Sequence, residues 1–247
     1  MEIRNRINIL LFVLFLGLTA CSTDEEPAPD CLPLGVSARS FLSDEDFTSL
    51  TVEVVYVTGY EPTQNSLSSV ETFLETYLHK PAGISVQLRA IPSPGVGTYS
   101  IDEIRDVENK HRTLFTSGKN LTAFIFIADD KSTSSTSKEL VLGKAYKNTS
   151  LVIFEKDIRE LAQSAGISSS QIQQTTIKHE FGHLFGLVDN GSPAQSDHVY
   201  TDPENPNEKG HCSIAGCLMA RDLDYTKQSN LTLENQCHLD LVANGGK

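Results

Sequence analysis

The feature that most constrains this chain is the stretch from His179 to Gly186, which reads HEFGHLFG and fits the pattern HExxHxxG. Residues four apart lie one turn apart on the same helical face, so His179 and His183 can offer two imidazole nitrogens to one metal ion. Glu180 lies beside the first histidine and can reach a water molecule on that ion, as a general base must. Gly186 is suited to leaving the helix through a left-handed turn. The pattern predicts a helix that carries a zinc site and ends near Gly186.

The chain ahead of this helix alternates between strand and helix patterns. Apolar or alternating β-branched runs predict strands, and apolar residues at helical spacing predict the helices between them. Strands are predicted over 50–58, 84–91, 121–128 and 151–154, and helices over 66–79, 101–116, 158–165, from Ser168 (with a capping box to Gln171) and over 230–241. The βαβαβ order at the start favours a parallel sheet with right-handed crossovers.

A short, polar, glycine-bearing segment at 142–147 has the character of an edge strand and is followed by a turn. Together with the βαβαβ order, it predicts an α/β fold with a mixed, mainly parallel sheet and an antiparallel edge strand. We expect residues 46–247 to form one domain, with an N-terminal subdomain to about 187 and a mostly irregular C-terminal subdomain over 188–247.

A catalytic zinc site needs a third protein ligand besides His179 and His183, with a fourth position left open for water. Asp189 lies three residues past Gly186, and His211 lies further along, in a block that reads His-Cys-x4-Cys-x-Met. His198 lies in the intervening loop without a supporting motif. A different zinc hydrolase plan would take its third ligand from a downstream glutamate; the candidates are Glu204, Glu208 and Glu234.

The two motifs together resemble archaemetzincins, a family of metzincin zinc peptidases that carry HExxHxxGxxHCx4CxM, then seventeen residues and CxxC. Residues 179–186 match the first part of this pattern, residues 211–219 match the second with the same internal spacing, and Cys237 follows Met219 after seventeen residues. Some two dozen extra residues separate the two parts. The resemblance implies a metzincin-like fold with an active-site helix, one catalytic zinc ion and a methionine turn at Met219.

The resemblance also bears on ligands and substrate. It implies His211 rather than Asp189 as the third ligand, because His211 keeps its spacing to Met219. In the metzincin plan the edge strand pairs with an extended peptide substrate above the zinc. Its residues here are Gly143, Lys144, Ala145 and Tyr146.

Besides Cys21, the chain has Cys31, Cys212, Cys217 and Cys237. The second cysteine of the family's final CxxC is absent, because residues 237–240 read Cys-His-Leu-Asp. A second, structural zinc site could persist as three cysteines with His238 or Asp240. We favour the disulfides Cys212–Cys217 and Cys31–Cys237, since thiolate zinc sites are less usual outside the cytosol.

The N-terminus has the composition of a bacterial targeting segment. Arg4 and Arg6 precede an apolar run from Ile7 to Leu18 that is too short to span a bilayer. The run ends in Leu-Thr-Ala-Cys, which resembles a lipobox, so we expect residues 1–20 to be removed and Cys21 to be lipidated. The alternative is an ordinary signal peptide in which Cys21 is incidental.

Residues 21–45 are predicted to be a tether. Its acidic start resembles the surface-export signal of Bacteroidetes lipoproteins, which indicates a membrane metalloprotease anchored in the outer membrane and exposed at the cell surface. The net charge of −12, without a cluster of Lys and Arg, argues against nucleic-acid binding.

The sequence as a whole predicts a monomeric zinc-dependent metalloendopeptidase that hydrolyses peptide bonds of extracellular proteins or peptides. Water on the zinc ion is expected to attack the scissile carbonyl while Glu180 takes its proton. The alternative is a catalytically silent, zinc-containing lipoprotein that binds other molecules at the surface.

Overall fold

The computed structural model describes residues 28–203, 210–223, 225 and 231–247. The predicted targeting segment, Cys21 and the first part of the tether lie outside these residues. After a 3-10 turn at Pro29–Cys31, the elements in chain order are α1 (Ala38–Leu42), β1 (Ser49–Val57), α2 (Gln64–Tyr77), β2 (Ile84–Ile91), β3 (Thr98–Tyr99), α3 (Ile101–His111), β4 (Asn120–Ala128), β5 (Lys131–Ser132), β6 (Gly143–Lys147), β7 (Ser150–Phe154), α4 (Glu155–Ala165), α5 (Ser169–Leu184) and α6 (Asn235–Ala243).

The main sheet has five strands in the order β2-β1-β4-β7-β6. The first four strands are parallel to one another, and β6 runs antiparallel to β7 at the edge. The predicted α/β fold with a mainly parallel sheet and an antiparallel edge strand is confirmed. β3 and β5, which the sequence did not predict, form a separate two-stranded parallel pair.

Both faces of the sheet are covered, as the continuous apolar run of β4 requires. Successive side chains of a strand point to opposite faces. Leu121 and Ile125 therefore join the core that α2 and α5 complete, whereas Phe124 and Phe126 join the core on the α3 side. This arrangement holds α5, the helix with the HExxH pattern, beside β6 on the face of the sheet that α2 also covers.

Several element boundaries differ from the sequence prediction. α3 ends at His111 instead of residue 116, because Arg112 turns into the interior and pairs with Glu108 and Asp30, each at 2.8 Å. α4 begins three residues earlier than predicted, and α6 begins at Asn235 instead of residue 230. The predicted capping box is wrong, since the Ser168 side chain makes no capping hydrogen bond.

Part of the predicted tether is packed into the domain. In α1, Phe41 and Leu42 are fully buried. Ahead of it, the buried Asp30 carboxylate accepts hydrogen bonds from Arg112 and from the backbone N–H of Thr116, both at 2.8 Å. The packed chain therefore extends well upstream of residue 46. Within the described ranges, no helix is long and apolar enough to cross a membrane.

Candidate metal centre

α5 places His179 and His183 one turn apart, with their Nε2 atoms 3.2 Å from each other. The Nδ1 atom of His179 lies 2.7 Å from the carbonyl oxygen of Leu218. An imidazole whose Nδ1–H donates to a carbonyl carries its lone pair on Nε2, which is how a metal-binding histidine is oriented. The helix and Leu218 thus aim the His179 lone pair toward His183.

The structure brings His211 to the two helix histidines. The ligand atoms of the three side chains lie within 4.8 Å of one another, and the His211 ring centroid is 5.5 Å from that of His179 and 5.4 Å from that of His183. Tetrahedral zinc with nitrogen ligands places neighbouring nitrogens about 3.3 Å apart, close to the 3.2 Å between the helix histidines. The donor set therefore fits a zinc ion.

Burial keeps these imidazoles in the neutral form that a metal requires. Burial, together with the neighbouring His211, lowers the pKa of His179 to about 4. Burial also lowers the pKa of His183 well below its usual value and, to a smaller degree, that of His211.

Asp189 does not join this group. After Gly186, which has φ 71°, the chain turns through Val188 and Asp189 with φ 58° and 62°. This turn takes Asp189 toward Asp240, where its charge adds to burial in raising the pKa of that carboxyl. Of the glutamates considered as alternatives, Glu234 precedes α6 outside the group, and Glu204 and Glu208 lie outside the described residues.

Glu180 is buried beside the histidines, and its Oε2 accepts a hydrogen bond of 2.7 Å from the backbone N–H of Ala145 in β6. Burial raises the pKa of Glu180 to about 8, while the Ala145 hydrogen bond acts in the opposite direction. The carboxyl group is therefore held between the helix and the edge strand in an environment suited to proton transfer near neutral pH.

Met219 lies beneath the histidines and is fully buried. A Cβ atom added at Gly182, between the two helix histidines, would lie 2.1 Å from the Met219 sulfur. The glycine in HEFGH thus lets the methionine pack directly against the helix. Met219, the expected residue of the methionine turn, thus packs against the helix that carries His179 and His183.

The three histidines and Glu180 line a cleft of about 960 Å³. Gly143, Lys144 and Ala145 border it on the β6 side, whereas the side chain of Tyr146 is buried in the α3-side core. Tyr225 also lines the cleft, and its hydroxyl lies 3.2 Å from Oγ1 of Thr176. From the sequence, Tyr225 is expected to be a core tyrosine rather than an oxyanion-side hydroxyl as in some metzincins, because no motif supports its spacing.

A second cluster of metal-binding side chains lies apart from the cleft. His198, Cys212 and Cys237 are all buried, with ligand atoms within 4.8 Å of one another. The sulfur of Cys217 lies 3.6 Å from that of Cys237, which is too long for a disulfide bond and close to the spacing of about 3.8 Å between thiolates on tetrahedral zinc. Hydrogen bonds with the thiols of Cys212 and Cys237 lower the pKa of Cys217.

His198 fits the role of a fourth ligand in this cluster. Its Nδ1 lies 3.0 Å from the carbonyl oxygen of Ser196, which leaves Nε2 for the cluster. Nε2 is buried 3.1 Å from Asp240 Oδ2, yet within the described part of the chain neither atom has a hydrogen-bond partner of acceptable geometry. Buried polar nitrogens are rarely left in this state, so the observation fits a metal ligand.

The predicted disulfides are therefore wrong. Neither Cys212–Cys217 nor Cys31–Cys237 is formed, since among the described residues Cys212, Cys217 and Cys237 have free thiols. Cys31 also follows Asp30, which Arg112 and the backbone of Thr116 hold on the α3 side.

The sequence allows His238 or Asp240 as the fourth residue of this cluster, and neither joins the group whose ligand atoms converge, although Oδ2 of Asp240 lies 3.1 Å from Nε2 of His198. His238 instead lies 3.0 Å from the carbonyl of Lys247, and Asp240 accepts a hydrogen bond from the backbone of Gln195. His198 lies beside the cysteines because its segment pairs with the chain around Cys212. In this pairing the Ser213 N–H donates to the His198 carbonyl at 2.8 Å. No motif in the sequence could have shown this contact.

Several solved structures are similar to this chain. The archaemetzincin of Methanopyrus kandleri matches over 80% of this chain and 96% of its own, at 15% identity and a TM-score of 0.52. A zinc-dependent peptidase from Methanocorpusculum labreanum matches over 77% of this chain and 99% of its own, at 15% identity and a TM-score of 0.46. Metalloproteinase-II from Bacteroides fragilis matches over 84% of this chain and 60% of its own, at 12% identity and a TM-score of 0.46.

No protein-family model and no curated protein sequence matches the chain. The resemblance to archaemetzincins is confirmed at the level of the fold, on the Methanopyrus kandleri structure.

Proposed function

We propose that this chain is a zinc-dependent metalloendopeptidase. The observation that carries the proposal is the convergence of one buried and two partly buried imidazoles with a buried glutamate in a cleft. Three protein ligands that leave one position open are the arrangement of a catalytic zinc site, whereas structural sites are closed by four. The fold shared with a solved archaemetzincin is consistent with this activity.

The proposed zinc ligands are His179, His183 and His211, with His211 preferred to Asp189. The 5.4–5.5 Å between the His211 ring and the two helix imidazoles supports this choice. A zinc ion held there supplies Lewis-acid chemistry, because it lowers the pKa of water and polarises a peptide carbonyl.

Glu180 is the proposed general base. Its carboxylate takes a proton from the attacking water and delivers it to the leaving amine. The Ala145 N–H holds one oxygen at 2.7 Å, so the carboxylate keeps a fixed direction relative to the histidines. Burial excludes bulk water from the carboxylate and strengthens its interactions with the reacting groups.

The proposed peptide-binding element is the edge strand β6. On its inner side, β6 is fixed to β7, with Phe154 N–H donating to the Leu142 carbonyl at 2.8 Å. Its other side borders the cleft at Gly143, Lys144 and Ala145. An extended peptide can add to such an edge through main-chain hydrogen bonds, which fits an endopeptidase acting on unfolded or loop segments of proteins.

The experiment that tests this function compares wild type with Glu180→Gln. We expect wild type to hold zinc at the cleft and to cleave members of a broad peptide library. The Glu180→Gln variant should hold the same amount of zinc at the cleft and lose about 10²–10⁴-fold in kcat/KM, the usual contribution of general acid–base catalysis. Unchanged turnover in that variant would refute the mechanism, and a zinc-loaded wild type that cleaves nothing would favour the silent binding protein.

We also propose a second, structural zinc ion bound by Cys212, Cys217, Cys237 and His198. The sulfur spacing and the buried His198 Nε2 support it. Four buried side chains with no open position are typical of a structural zinc site. Zinc analysis of wild type should give two ions per chain, and X-ray absorption should detect mixed sulfur and nitrogen ligands.

The proposed location is the outer membrane, with the chain anchored by lipid on Cys21, acting as a monomer on extracellular proteins or peptides. The Leu-Thr-Ala-Cys sequence ahead of an acidic segment supports it. Labelling of cells with a fatty-acid analogue should mark wild type and not Cys21→Ser. Equal labelling, or equal release of both proteins into the medium, would contradict the anchor.

A further inference from the structure

At Gly143, the first residue of β6, the surrounding atoms leave no room for a side chain. Its backbone is not among those with positive φ, so its conformation is open to other residues. A Cβ atom at this position would lie 2.7 Å from Thr176 Cγ2 and 2.9 Å from both Cγ and Oε1 of Glu180. Side chains in close-packed interiors do not approach so closely, so any larger residue must displace a neighbour.

The neighbours that Gly143 contacts are fixed on α5. Oγ1 of Thr176 donates to the carbonyl of Ile172 at 2.9 Å and lies 3.2 Å from the Tyr225 hydroxyl. Glu180 follows the proposed ligand His179 on the same helix. Neither side chain can retreat without breaking a hydrogen bond or moving the helix.

The edge strand contacts the Glu180 carboxylate at two points. The Ala145 N–H donates to Oε2 at 2.7 Å, and the Gly143 backbone packs beside Oε1. The strand can reach Glu180 with its amide only because position 143 has no side chain.

We infer that Gly143 is a positioning residue for Glu180. Its missing side chain lets β6 lie directly against α5, and this contact sets the direction of the general base. The catalytic consequence rests on the proposed function, whereas the packing relation between Gly143 and Glu180 does not.

An alanine at position 143 should move the carboxylate and leave the strand in place. β6 is held by its ladder with β7, in which Gly143 pairs with Ile153 and Lys144 with Val152. The Glu180 side chain is attached by rotatable bonds and is the easier group to shift. A misplacement of a catalytic group by about 1 Å can cost on the order of 10²-fold in rate.

The kinetic test compares Gly143→Ala with Gly97→Ala. Gly97 is a matched control, because its φ is not positive and a Cβ there would meet nothing within 4 Å. We expect Gly143→Ala to lower kcat about 10²-fold, with KM and zinc content close to wild type, while Gly97→Ala changes none of these. Unchanged kcat, or a raised KM at unchanged kcat, would overturn the inference, the second by assigning Gly143 to substrate binding.

A second test needs no activity and separates this inference from the proposed function. Thermal unfolding midpoints are measured for Gly143→Ala in the wild-type and Glu180→Ala backgrounds, as a double-mutant cycle. We expect Gly143→Ala to lower the midpoint in wild type and to lower it less in Glu180→Ala, where the contacts with Cγ and Oε1 of Glu180 are gone and the contact with Thr176 Cγ2 remains. Equal shifts in both backgrounds would overturn the packing relation even if the chain proves to be an active peptidase. If Gly143→Ala alone does not fold, recovery of the folded double variant supports the inference and its failure to fold contradicts it.

Discussion

The two clusters of metal-binding side chains differ in their access to solvent, although consecutive residues, His211 and Cys212, belong to one each. The histidine cluster lines a cleft of about 960 Å³, and two of its members, His183 and His211, are only partly buried. The members of the cysteine cluster are fully buried and do not line the cleft. The difference corresponds to that between a catalytic site, which keeps a position open, and a structural site, which is closed.

The two clusters share a framework in the segment around Met219. The Leu218 carbonyl orients His179 at 2.7 Å, and the Met219 N–H donates to the Cys217 sulfur at 3.4 Å. The Met219 carbonyl accepts from the Cys212 N–H at 2.7 Å. One short segment holds parts of both clusters. Loss of a ligand from the cysteine cluster should therefore also lower the activity of the histidine cluster, but by less than loss of one of its own ligands.

The largest effect is expected from removing the third imidazole. His211→Ala should lose the zinc ion at the cleft. Its kcat/KM should fall by more than the 10–100-fold that is usual when a residue hydrogen-bonded to a metal ligand is removed. Asp189→Ala is the matched variant and should keep both zinc and activity, because Asp189 is not part of the group of converging ligand atoms. Zinc content and turnover of the purified variants are the measurements. Full zinc occupancy of the cleft in His211→Ala would show that His211 is not a ligand of that zinc ion.

The next effect is expected from opening the closed site. Cys237→Ser should lower the zinc content from two ions to one and lower the unfolding midpoint by roughly 10 °C, because binding of a structural zinc contributes directly to folding. Activity should fall less than in His211→Ala, since the helix histidines are held by α5.

The control for this variant is His238→Ala. His238 is close to the cysteines in sequence but contacts the Lys247 carbonyl instead of the cluster. It should retain two zinc ions and a nearly unchanged midpoint. A zinc content of two in Cys237→Ser would contradict a closed four-ligand site.

The same two clusters show what the sequence could and could not predict. The helix histidines follow from a spacing of four residues within one element, and the edge strand follows from its polar, glycine-bearing composition. His198 could not be predicted, because it reaches the cysteines only through pairing of its loop with the chain near Cys212. Local patterns carry no information on such contacts.

The errors in element boundaries have the same origin. The pattern of α3 continues in the sequence to residue 116, but burial of Arg112 between Asp30 and Glu108 ends the helix at His111. Asp30 lies 82 residues away along the chain. A distant tertiary ion pair therefore overrides the local helix propensity.

The smallest effect is expected at the point where the two clusters share their framework. Gly182→Ala places a methyl group 2.1 Å from the Met219 sulfur. Overpacking of this kind lowers the free energy of unfolding by about 1–3 kcal/mol, and the higher helix propensity of alanine raises it by about 1 kcal/mol. The unfolding midpoint should therefore fall by only a few degrees, with Gly97→Ala as the control.

Gly182→Ala should also weaken both clusters together, since displacement of Met219 disturbs its contacts with Cys212 and Cys217 as well as the base of the histidine cluster. The measurement is the rate at which a chelator removes each zinc ion from the variant and from Gly97→Ala. We expect both ions to leave faster than in the control. If only the ion at the cleft leaves faster, the methionine supports the histidines alone and the two clusters are mechanically independent.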